Sequence, residues 1–121
     1  MCQLFINADS DLWGNQSKSL RIDGVVTSIR MENFFWSTLA EISARDNMSV
    51  NQLITKLYHE AIDAEHDMGN FTSFLRVCCG RYLALVASND IPKADDIMIR
   101  SLPVNEILKK EKSRHSVRRF H

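Results

Sequence analysis

Little in this chain marks it for secretion, metal binding or a membrane. Cysteine occurs three times, at Cys2, Cys78 and Cys79. An odd number with two adjacent makes neither a disulfide framework nor a zinc-ligand spacing, so a reduced cytoplasm is the expected location. Two prolines and four glycines among 121 residues, with 45% hydrophobic residues, place the chain with globular proteins and exclude a disordered one. The longest apolar run, Tyr82–Ala87, falls far short of the ~20 residues a membrane span needs. Met1–Trp13 has neither the basic start nor the apolar run of a signal peptide. Net charge is absent too, since fifteen basic residues cancel fifteen acidic ones. No whole-protein field therefore pulls the chain toward nucleic acid or anionic lipid. Any anion-binding site must come from local placement of charge.

Catalytic patterns are also missing. The chain has no glycine-rich phosphate loop, no Ser/His/Asp or Cys/His order and no isolated carboxylate pair. No catalytic residue and no cofactor is assigned, and the chain is not expected to be an enzyme. His59, Asp63 and His66 lie on neighbouring helical turns, but without a fourth ligand they read as an exposed polar face and not as a metal site.

What is present is a change of hydrophobic period. Gln3–Ile6 and Ser19–Asp23 are short extended candidates, and Gly24 punctuates the chain. Val25–Met31 is rich in β-branched residues and alternates, placing Val25, Thr27, Ile29 and Met31 on one face and Val26, Ser28 and Arg30 on the other. From Asn33, the positions Phe35, Trp36, Leu39 and Ile42 recur at helical spacing, ending near Arg45–Asn47. Asn47 suits a left-handed stop. Ser49-Val50-Asn51-Gln52 has the form of a capping box, followed by a stripe from Val50 through Leu53, Ile54, Leu57 and Tyr58 to Ile62. A third helix, capped by Asn70 or Thr72, runs from Phe71 to Val86 and is apolar nearly all round, so it should be buried on several sides. Cys78 and Cys79 within it read as small core residues. Pro103–Lys112 forms a last helix, within a stretch from Val104 to His121 whose six basic and two acidic residues give a basic tail including Arg118 and Arg119.

A lone strand at Val25–Met31 has edges that must be paired. The strand and two helices together are also close to the ~40-residue limit below which chains seldom fold alone. Pairing with the same strand of a second copy answers both demands. It gives a homodimer whose shared core holds Thr27, Ile29, Met31, Trp36, Leu39, Leu53 and Leu57. Pairing with Gln3–Ile6 or Leu20–Ile22 inside one chain stays open.

The segment Thr27–Glu32, the helix carrying Trp36 and Leu39, and Asn47–Ile54 together resemble the ribbon-helix-helix (Arc/MetJ-like) family of DNA-binding proteins. Asn70–Arg76 is similar to the extra helix of a bacterial subfamily. The resemblance implies a mainly α fold with an intermolecular two-stranded antiparallel β-ribbon and at least one additional helix. It also implies a double-stranded DNA partner, with the ribbon in the major groove. Carried onto this chain, the base readers are Val26, Ser28 and Arg30, and the amides opening the second helix, at Ser49, Val50 and Asn51, hold a phosphate. Lys18 and Arg21 are expected to add phosphate contacts. The side-chain chemistry agrees, since arginine offers two donors to guanine, serine donates or accepts, and valine can touch a thymine methyl. A helix N-terminus with free amides attracts anions. The chain departs from the family at Asn47, where glycine is common, and at Val26, which is apolar where many relatives carry a polar reader.

The expected organisation is an N-terminal extension at 1–24, the ribbon-helix-helix domain with its third helix at 25–87, and a basic tail, partly helical or disordered, at 88–121. The expected function is that of a sequence-specific transcriptional regulator, a repressor acting by occupancy as a homodimer, with higher assembly on DNA left open. The rival reading is an antitoxin-like interaction module whose C-terminal region binds a protein partner.

Overall fold

A computed structural model describes residues 2–118, and nothing is described for the side chains beyond His115. Arg119 of the basic tail therefore lies outside the described residues, as does the side chain of Arg118. Among the described residues the order is helix α1 (Cys2–Ile6), a 3₁₀ turn (Ser10–Leu12), strand β1 (Asn15–Ile22), strand β2 (Val25–Glu32), helices α2 (Asn33–Arg45), α3 (Val50–Asp63) and α4 (Phe71–Ala87), a 3₁₀ turn (Ile99–Ser101) and helix α5 (Val104–Arg118). The fold is mainly α, with a two-stranded antiparallel ribbon followed by two helices and an additional one.

The ribbon corrects the expected pairing. β2 finds its antiparallel partner in β1 of the same chain, with Ile22 opposite Val25 and Asn15 opposite Glu32. The reason lies in the two residues between them. Asp23 and Gly24 both take positive φ, 53° and 80°, as a type I′ turn requires, and such a turn matches the twist of a tight hairpin. Residues 15–22, expected within an N-terminal extension, thus belong to the sheet. Gln3–Ile6, expected to be extended, lies in the short helix α1 instead.

Inward side chains Leu20, Ile22, Ile29 and Met31 of the ribbon pack on Trp36 and Leu39 of α2, Leu53 and Ile54 of α3, and Leu75 and Cys79 of α4. Met31, Leu39, Ile54, Leu75 and Cys79 are fully enclosed. The third helix therefore completes the core within one chain. Thr27, expected in a shared core, is exposed in the single chain, and Leu57 is half-buried.

Chain reversals use the residues expected. Asn47 sits at φ 55°; its amide donates to the Ala44 carbonyl (3.2 Å) and that of Met48 to Ser43 (3.0 Å), closing α2 with a Schellman pattern. Ser49 Oγ accepts from the Gln52 amide (3.1 Å) while Gln52 Oε1 accepts from the Ser49 amide (2.8 Å), completing the capping box.

Residues 88–118 are not a loose tail. Ile91 and Ile107 join Tyr82 and Leu85 in a second cluster. Arg45, itself buried, donates to the carbonyls of Ala94 (2.9 Å) and Ile97 (3.1 Å). Asp46 accepts from the Ile99 amide (2.7 Å). The last helix runs to Arg118, past the expected end at Lys112. It is tied to α4 by Arg81, whose guanidinium donates to both Glu111 oxygens (2.6 and 2.9 Å), and to the preceding turn by Arg114 on Asp90 (2.7 Å).

Arg81 holds the Glu111 carboxyl below the usual carboxylate range. A group lowered in the folded state stabilises above its unfolded pKa, and the contribution is lost as pH falls through the folded value. The docking of α5 should therefore weaken on acidification below the ordinary carboxylate range of about 4.3. Amide exchange across α5 as a function of pH should show that loss, and Glu111→Gln should flatten it.

Candidate nucleic-acid interface

The hairpin register decides which side chains share a surface. Ser17 lies opposite Arg30, Ser19 opposite Ser28 and Arg21 opposite Val26. Strand alternation puts all six on the outer face, and all six are exposed. The expected readers Val26, Ser28 and Arg30 are thus brought together on one strand. Ser17 and Ser19 sit beside them on β1, positions that a single-strand reading did not consider.

At one end of this face stands Glu32, whose carboxylate accepts from Arg76 Nε (2.9 Å). Backbone hydrogen bonding, then the Arg76 contact, keep this carboxyl below its ordinary range. Its charge is matched at close range. Arg30, by contrast, has no carboxylate within salt-bridge distance among the described residues.

The start of α3 behaves differently from the simple expectation. The Ser49 amide is taken by Gln52, and the Gln52 amide by Ser49. The first-turn amides of Val50 and Asn51 have no acceptor among the described residues. These two, and not Ser49, are the donors free for an anion, reinforced by the positive end of a 14-residue helix. Arg21 lines a shallow groove of about 480 Å³ together with Asn51, Gln52, Thr55, Lys56, His59 and Glu60. Arg21 and the α3 N-terminus are therefore neighbours, and Lys56, one turn further along α3, is a basic group that sequence reading missed. Its signal was available, since Lys56 follows Gln52 by four residues on the same helical face.

Lys18 is placed elsewhere. It lies opposite Ile29 on the inner face, and its ammonium sits over the Trp36 ring, 5.0 Å from the centroid. That is a cation–π contact, made while the Trp36 indole N–H donates to the Gln16 carbonyl (2.9 Å). The side chain supports the ribbon from below instead of facing the groove.

Other groups singled out in the sequence have structural partners. His59 Nε2 meets the Asp23 carboxylate at 2.8 Å, linking α3 to the hairpin turn, while Asp63 and His66 are exposed. No cluster of three or more groups able to hold a metal is found among the described residues. Burial pushes the Cys79 thiol up to about 12 and raises that of Cys78, so neither is a reactive thiolate near neutral pH. Among the described residues no helix is long and apolar enough to cross a membrane.

Replacing Ser49 with Ala removes the side-chain half of the capping box and should cost about 1 kcal/mol of stability. Urea unfolding should show this as a lower midpoint at unchanged slope. The Val50 and Asn51 amides would still be present, so anion binding at the helix start should weaken less than on replacing Arg21.

Comparison with known proteins agrees with this geometry. The chain matches the family described as "Ribbon-helix-helix domain" over residues 15–83, from the first residue of β1 into α4. A solved structure, that of an uncharacterized protein from Bordetella pertussis Tohama I, is similar at 48% identity and a TM-score of 0.86, over 89% of this chain and 86% of that one. No curated protein matches. With strand, turn and helices in the family's order and more than half of the sequence matched, the chain belongs to the ribbon-helix-helix family.

Proposed function

We propose that the protein is a cytoplasmic, sequence-specific DNA-binding transcriptional regulator that acts as a repressor by occupying its operator as a homodimer. The observation that carries this reading is the division of the exposed surface. Val26, Ser28 and Arg30 share the outer face of β2, while Arg21 of the flanking strand lines one groove with the first turn of α3. Base-reading chemistry and phosphate-holding chemistry are thus adjacent but separate.

The dimer completes β2. Near the turn, Leu20 and Ile22 of β1 are buried, yet Thr27 and Val25, their cross-strand partners on the same inward face, are exposed, Val25 at 64% against 6% for Ile22. The inner side of β2 lacks a cover there. Alternation from the turn also directs the peptide groups of Val26, Ser28 and Arg30 away from β1, leaving an open edge. Antiparallel pairing of this edge with its copy gives a four-stranded sheet in the order β1-β2-β2-β1. Three strand spacings of about 4.8 Å span about 14 Å, wider than the ~12 Å major groove. The two central strands enter it, and the outer strands bring Arg21 and the α3 amides to the phosphates on either side.

The antitoxin-like alternative draws no support from the C-terminal region. α5 is already folded and held by the Arg81–Glu111 and Arg114–Asp90 ion pairs, which does not fit a segment that folds on meeting a partner.

Selection of random duplexes on the purified protein should recover a short inverted repeat. Against that operator, Arg30→Ala should cost about 1–3 kcal/mol per guanine contact and relax base preference at one position in each half-site. Arg21→Ala should weaken operator and scrambled duplex alike and reduce the salt dependence by about one unit per lost phosphate contact. Equal weakening of both duplexes by Arg30→Ala would show that β2 does not read bases.

A further inference from the structure

The N-terminal arm carries three consecutive exposed apolar residues. Leu4, Phe5 and Ile6 are 77%, 67% and 74% exposed, and α1 buries no residue. A contiguous apolar patch of this kind marks a contact surface.

Its root is fixed. Asp9 Oδ1 accepts from the Asp11 amide (3.0 Å). Asn33, at the start of α2, binds the Asp11 carbonyl through Nδ2 (2.9 Å) and the Gly14 carbonyl through its amide (2.8 Å). The arm therefore leaves from the open end of the hairpin, opposite the turn.

Three covers for the arm differ in what they require. A membrane surface fits poorly, because residues 2–13 carry Asp9 and Asp11 with no lysine or arginine to meet anionic headgroups. The chain's own bare inner face, under Val25 and Thr27, lies at the other end of the ribbon, about seven residues or ~23 Å from the arm's root. The partner's bare face is closer. Antiparallel pairing of β2 with its copy brings the turn end of one hairpin beside the open end of the other. The root of the arm, next to β1, then lies two strand spacings, about 10 Å, from Val25 of the second copy. α1 adds roughly 7.5 Å of reach.

We propose that residues 2–8 form an exchanged arm that seats Leu4, Phe5 and Ile6 of one copy against the uncovered inner side of β2 in the second, beneath Val25 and Thr27. This rests on the dimer reading above and adds to it the element that closes the sheet's bare face. It gives both exposed apolar surfaces one burial, and it occurs twice by symmetry.

The test is sedimentation equilibrium of the full chain over a dilution series, beside the triple variant Leu4→Ser, Phe5→Ser, Ile6→Ser. Because these side chains are mostly exposed in their own chain, far-UV circular dichroism of the variant should match the parent. Its dimer dissociation constant should rise by at least tenfold. Thr27→Asp should raise the constant similarly, and the combined variant should lose little more than either alone, as coupled sites do. A parent that stays monomeric at every concentration overturns the dimer reading and the arm with it. A dimeric parent whose dissociation constant is unmoved by the serine variant overturns the arm alone. Fully additive losses would likewise overturn it, since the arm and Thr27 would then not meet.

Discussion

A strand that buries one face must satisfy the peptide groups along its edges, and the molecule is arranged around how β2 meets that demand. On one side β1 supplies the partner, returned by the Asp23-Gly24 turn. Beneath, α4 supplies Leu75 and Cys79, so that the core closes over Ile29 and Met31 without help from another chain. What is left unsatisfied includes the outer edges of both strands and the inward side chains of β2 nearest the turn. Of the two edges, that of β2 is the one beside uncovered inward side chains, Val25 and Thr27.

The charge distribution follows the same economy. The chain is neutral as a whole, and several of its acids are drawn into local contacts. Asp46 faces backbone amides, Asp90 and Glu111 face arginines of α5 and α4, Asp23 faces His59, and Glu32 faces Arg76. Arg21 and Arg30 remain on an outer face with serines for neighbours. That outer face carries two arginines in a neutral protein, and the reach of their charge is short because screening removes long-range attraction beyond about 8 Å at physiological salt.

Much of the architecture was legible in the sequence for identifiable reasons. The change of period at Asn33, the left-handed Asn47 and the Ser49–Gln52 box located α2 and α3, and the apolar run from Phe71 located α4. β1 was obscured because Asn15–Ser19 is polar and only Leu20 and Ile22 alternate visibly. The clue was Asp23-Gly24 between two alternating runs, a strong short-range hairpin signal. Its neglect displaced the pairing partner to a second chain. That Val26, Ser28 and Arg30 share the outer face was legible through alternation alone. The role of Lys18 was not, because its contact with Trp36 depends on a ring 18 positions away. Nor was the anchoring of residues 94–100, which depends on Arg45 and Asp46 reaching across some fifty residues of sequence.

That anchoring makes the folding unit longer than the family's domain. The family match ends at residue 83, but Arg45, inside that span, keeps its charge out of water with the carbonyls of Ala94 and Ile97 and the hydroxyl of Tyr82 (3.4 Å). A guanidinium stays protonated in any protein, so it cannot shed the charge if those acceptors are lost. A gene fusion that copied only residues 15–83 would transplant a cation without the Ala94 and Ile97 carbonyls that solvate it. The domain can therefore be moved intact only together with the segment that follows it.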